Sequence, residues 1–178
     1  MKLLGITISI LFLIQASVIF SQDFATPTFG QGGPSNDDKY NNVSKNISGI
    51  TCDKTEHLVY HNHTMLVLKN NNQNVTIPAG IGIIPNNCIF WLHTHDDSGI
   101  IHVESPSQTS FTLGQFLQVW DNFYNSPITE ALLKNNTNDT ISILFANGSN
   151  VNTAENAKDI TLQNNAIISI NVTNQTTK

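Results

Sequence analysis

The stretch Trp91-Leu92-His93-Thr94-His95-Asp96-Asp97-Ser98-Gly99-Ile100-Ile101-His102-Val103-Glu104 constrains the fold more than any other part of the chain. Asp96-Asp97-Ser98-Gly99 is a reverse-turn signal, and the runs on either side read as a strand going out and a strand coming back. Alternate residues of a strand share a face, so His93 and His95 stand side by side. A four-residue loop would set His93 opposite His102 and His95 opposite Ile100, with all three histidines on one face. A three-residue loop with Gly99 as a left-handed bulge would slip the register by one and turn His102 away. Both registers are open at this point.

A second cluster lies upstream, in His57-Leu58-Val59-Tyr60-His61-Asn62-His63. His61 and His63 repeat the alternate spacing, and His57 shares their parity if the strand begins early enough. All six histidines of the chain fall in these two stretches. Neutral imidazole is a common ligand for zinc and copper, and two His-x-His pairs on two strands supply three or four nitrogens. The expected site is therefore a copper or zinc ion held by His61, His63, His93 and His95. His102 is a fifth ligand or an orienting partner, and Asp96, Asp97 and Glu104 are acceptors for free imidazole N–H groups. The bland alternative is a set of polar residues on a solvated sheet face, or histidines hydrogen-bonded within the fold.

Residues 1–22 read as an export signal or an N-terminal membrane anchor. Lys2 is followed by a largely apolar run from Leu3 to Phe20, and Ser21 offers a small residue for cleavage. The expected location is extracellular or at the cell surface. The sequons at Asn42, Asn46, Asn62, Asn74, Asn135, Asn138, Asn147, Asn171 and Asn174 fit an exported glycoprotein. A formal charge of −5 with only eight Lys plus Arg argues against a nucleic-acid partner, which needs clustered cations. Cys52 and Cys88 are the only cysteines, and in an oxidising compartment the default is a disulfide between them. The competing reading makes both thiolates metal ligands.

Residues 23–48 are rich in Gly, Pro, Ser, Asn and Asp and read as a flexible linker. Residues 49–173 are long enough for one core, and 174–178 form a tail. Strands are expected over Leu58 to Leu68, Val75 to Ile77, Ile89 to His95, Ile100 to Glu104, Thr140 to Phe145, Asp159 to Leu162 and Ala166 to Val172. Thr112-Leu113-Gly114-Gln115 has capping-box form, and Leu113, Phe116, Leu117, Trp120 and Phe123 make the apolar stripe of one main helix. Ser126-Pro127 opens a second, short helical turn through Leu133. The fold class is α+β: a single, mainly antiparallel β domain packed on one main helix, β-grasp-like or a small β-sandwich.

Several blocks also resemble a family. Gly49-Ile50-Thr51-Cys52, Glu56, Tyr60-His61-Asn62-His63 and Ile77-Pro78-Ala79-Gly80-Ile81-Gly82-Ile83 are followed by the Trp91–Asp96 and Ser98–Glu104 blocks and by Phe111-Thr112-Leu113-Gly114-Gln115-Phe116. Together they are similar to a group of exported, His-rich archaeal and bacterial proteins with no established activity. The resemblance runs from about Gly49 to Trp120 and implies one domain type, not a reaction. The function expected is exported or surface-tethered transition-metal binding. The alternatives are an extracellular metalloenzyme, hydrolytic or redox, with an open ligand position and an acid/base such as Glu104, Asp96 or Asp97, or a metal-free surface module.

Overall fold

Eight strands, two helices and three further strands follow one another along the described chain, and the strands divide between two sheets. The computed structural model describes residues 40, 42–134 and 139–174, all within one compact unit, Asn36–Lys178. The leader 1–22, most of the 23–48 linker, nearly all of the 174–178 tail and the sequons at Asn135 and Asn138 lie outside the described residues.

The smaller sheet is antiparallel, with β1 (Asn46–Ile47), β2 (Ile50–Asp53), β6 (Cys88–Phe90) and β5 (Ile83–Ile84) in that spatial order. The larger sheet runs β10 (Asn150–Thr153), β9 (Asp139–Asn147), β11 (Ala166–Asn174), β3 (Tyr60–Asn70), β8 (Ile100–Ser105), β7 (Leu92–His93). β4 (Gln73–Val75) pairs with the far end of β3. One pairing, β11 on β3, is parallel; the others are antiparallel. The class is α+β, as the alternating patterns indicate.

Strand alternation sorts the larger sheet into two faces. Thr64, Leu66 and Leu68 of β3, Ile101 and Val103 of β8, Leu92 of β7 and Ile168, Ile170 and Val172 of β11 are buried together with the helix stripe. That helix, α1 (Leu113–Tyr124), starts at the capping box: the Thr112 hydroxyl accepts from Gln115 N–H, and Gln115 Oε1 accepts from Thr112 N–H. It ends where Asn125 turns left-handed at φ 49°. Phe116, Leu117 and Trp120 on its inner face are fully or almost fully buried. The second helix, α2 (Pro127–Lys134), begins with proline at its first position.

Four expectations are corrected. Ile89 to His95 is not one strand: Trp91 separates β6, in the small sheet, from β7, in the large one. The chain crosses between sheets there, with Trp91 N–H donating to Thr51 and its carbonyl accepting from Glu104 N–H. Asp159 to Leu162 is not a strand either; a 3₁₀ turn (Ala157–Asp159) precedes a lone bridge from Thr161 to Thr112. The first His strand begins at Tyr60, leaving His57 outside it. Finally, Ile47 is buried and Tyr40 and Val43 pack on the core, so ordered structure precedes Gly49.

Cys52 and Cys88 form a disulfide across a sequence separation of 36, tying β2 to β6. They are thus removed from the list of metal ligands. Closing a loop of this length stabilises the fold by about 4 kcal/mol on the chain-entropy model. We predict that Cys52→Ser/Cys88→Ser lowers the unfolding free energy by about 2–4 kcal/mol in urea titrations. An unchanged midpoint would mean that the bridge constrains nothing the sheets do not already hold.

Candidate metal centre

The site is a consequence of backbone register. In the antiparallel ladders His63 lies opposite His102, and His102 lies opposite His93, so three imidazoles form a row across β3, β8 and β7. One pair further along, His61 lies opposite Glu104. Residues opposite one another project from the same face, as do residues two apart, so all five side chains share the face away from the helix. Asn62, the sequon between two of them, pairs with Val103 on the reverse face.

His93 and His102 thus take the register expected of a four-residue loop, although the ladder stops at His93 and the turn is wider. Thr94 explains the difference. Its N–H donates to Ile81, its carbonyl accepts from Gly80 N–H, and its buried hydroxyl donates to Pro78 and accepts from Ile81 N–H. Thr94 is therefore held by the Pro78–Gly82 loop, and His95, next to it, lies beyond the ladder rather than opposite Ile100. The loop comes close because Gly82, at φ +76°, has no side chain: a Cβ there would lie 2.5 Å from the Leu92 carbonyl. This packing leaves His93 with no exposed surface and Glu104 with 4 %.

The ring nitrogens converge. His61 Nε2 and His63 Nε2 are 3.1 Å apart, His63 Nε2 and His102 Nδ1 3.1 Å, and His93 Nε2 and His95 Nε2 3.2 Å. Nitrogens bound at 2.0–2.1 Å to one tetrahedral ion are separated by about 3.3 Å. The ligand atoms form two groups, His61/His63/His102 and His93/His95/His102/Glu104, each with its atoms within 4.8 Å of one another. Pairwise N–H···N bonding does not satisfy this arrangement, because His63 Nε2 has either one proton or one lone pair for two neighbours at equal distance.

Electrostatics point the same way. His93 Nδ1 lies 2.9 Å from the Phe90 carbonyl, which can only accept, so the proton of the neutral ring is on Nδ1 and the Nε2 lone pair faces the cluster. Burial holds this imidazole neutral, pushing its pKa down to about 3. Burial, with neighbouring histidines, brings His102 to about 4 and also lowers His63. Burial raises Glu104, with Glu56 adding to the effect. Glu104 Oε1 lies 3.2 Å from His61 Nε2 and 3.7 Å from His102 Nδ1. Glu104 Oε2, buried and without a hydrogen-bond partner, lies 3.9 Å from His93 Nε2.

His61, His63, His93, His95 and His102 are brought together, then, and His57 is not. His57 Nε2 lies 2.7 Å from Asp53, whose same oxygen accepts from the Trp91 indole N–H. Asp96 accepts from Ser98 N–H and shapes the exposed turn, and Asp97 is exposed beside it; neither is among the converging groups. Glu104, expected as an acceptor for imidazole N–H groups, stands inside the cluster. Glu56, 3.7 Å from His95 Nε2, carried no such expectation, since it sits outside any strand. Compared with known proteins, the chain matches no family model, no curated protein and no solved structure.

The metal-free protein should respond to acid in a defined direction. Between pH 6.5 and about 4 the unfolded chain protonates the imidazole at position 102 while the folded chain does not. The unfolded state binds more protons there, so stability falls as pH falls. Glu104, with its raised pKa, acts in the opposite sense. Thermal melts of the metal-free protein should therefore show a declining Tm across this window, and His102→Asn should make the decline shallower. An identical slope in the variant would show that burial does not keep this ring neutral.

Proposed function

We propose that this chain is an exported or surface-tethered protein that binds a transition metal, copper or zinc, through the imidazoles of its sheet face. The observation that carries the reading is the buried carboxylate of Glu104. Its Oε2 has no donor, and Nε2 of His93, 3.9 Å away, carries a lone pair rather than a proton. Burying a polar oxygen without a partner costs about 1–3 kcal/mol, and more when it is charged. A cation between the carboxylate and the lone pairs around it removes that cost. Imidazole-rich sets suit copper and zinc, whereas magnesium and calcium prefer oxygen.

Export is supported by the apolar leader with its basic start and by the disulfide, which persists in oxidising compartments. Among the described residues no helix is long and apolar enough to cross a membrane, so tethering would fall to the leader. His61 and His95 are the most exposed of the five imidazoles, with 39 % and 44 % of their side chains accessible. Metal would enter and leave between them, as storage or delivery of the ion requires.

Elemental mass spectrometry of the purified chain after copper or zinc loading and desalting tests the reading. His102 belongs to both ligand groups, so His102→Ala should weaken retention at least tenfold while circular dichroism stays native. Unchanged retention in that variant, or no metal taken up by the native chain, would overturn the proposal.

A further inference from the structure

Resting on the metal-binding reading, the geometry points to a centre for two ions, bridged by Glu104. Five imidazoles and a carboxylate exceed what one tetrahedral ion accepts, and they are not arranged around one point. The two oxygens of Glu104 face different partners. Oε1 completes a ring of near neighbours with His61 Nε2 at 3.2 Å and His102 Nδ1 at 3.7 Å. His63 Nε2 closes that ring, 3.1 Å from each of those nitrogens. Oε2 looks the other way, to His93 Nε2 at 3.9 Å, and His93 Nε2 is 3.2 Å from His95 Nε2.

One ion would then be held by His61, His63 and Oε1, and the other by His93, His95 and Oε2, with His102 within reach of both sets. A carboxylate giving one oxygen to each ion sets them on the order of 3.5–4 Å apart, the spacing of two-metal sites. His61 and His63 are nearly perpendicular at 76° and His93 and His95 at 82°, and His102 stands at 82° to both His63 and His95, between the two pairs. The second ion has the more exposed histidine, His95, and so it is the one that water or an exogenous ligand would reach more readily. Glu104, at 4 % exposure, is too enclosed to serve as a solvent-side base; its role here is to bridge.

Copper(II) titration of the purified full chain tests this, read by bound copper per chain and by electron paramagnetic resonance. Two copper ions per chain with a half-field signal of coupled spins are expected. His63→Ala and His95→Ala should each retain one copper with an ordinary uncoupled spectrum, and Glu104→Gln should abolish the half-field signal while copper stays bound. A single copper per chain would overturn the two-ion centre and leave the metal-binding reading standing. Two coppers without coupling would overturn the bridge. No bound copper, with no zinc taken up either, would overturn both.

Discussion

The pairing of β3 with β8, and of β8 with β7, is the constraint on which the site depends. Three histidines from three strands meet because the ladder sets His63 against His102 and His102 against His93. A slip of one residue in either ladder would move one imidazole to the core face and bring an aliphatic side chain into its place. The hydrophobic pattern forbids that slip. Ile101 and Val103 on β8, Leu92 on β7 and Leu66 and Leu68 on β3 are buried on the reverse face, and a shift would expose them while burying the histidines. Core and site are two faces of one register, each enforcing the other.

Around that row, the rest of the fold fixes directions. The Phe90 carbonyl sets the tautomer of His93, the Thr94 hydroxyl and backbone lock the Pro78–Gly82 loop against it, and Asn164 Oδ1 accepts from His63 N–H. Rigid placement of this kind lowers the ordering that ligands undergo when an ion binds. The disulfide contributes at a distance: it pins β2 to β6, immediately before the chain crosses at Trp91 into β7. On the opposite side the helix stripe covers the apolar face, while on the histidine face His61 and His95 remain exposed.

Much of this was legible in the sequence. The capping box at Thr112 and the Phe116/Leu117/Trp120 stripe are local signals, and they gave the helix. The parity of His61 with His63, and of His93 with His95, follows from strand alternation. What sequence could not give was anything set by distant partners. The crossing at Trp91 depends on Thr51 and Glu104, forty and thirteen residues away, and within an apolar run nothing marks it. The 3₁₀ turn at Ala157–Asp159 was hidden by the β-branched residues after it, whose bridge is to Thr112. The parallel pairing of β11 with β3 leaves no mark on either strand's alternation. Glu104 was expected as an acceptor for imidazole N–H groups, but its burial depends on the loop carrying Gly82.

The central claim is that the imidazoles brought together from three strands bind metal, and X-ray absorption at the metal edge of the loaded chain tests it most directly. The account predicts a first shell of nitrogen and oxygen near 2.0–2.1 Å with the strong outer-shell scattering of several imidazole rings per ion. A first shell without imidazole scattering, as from water and surface carboxylates, would contradict it.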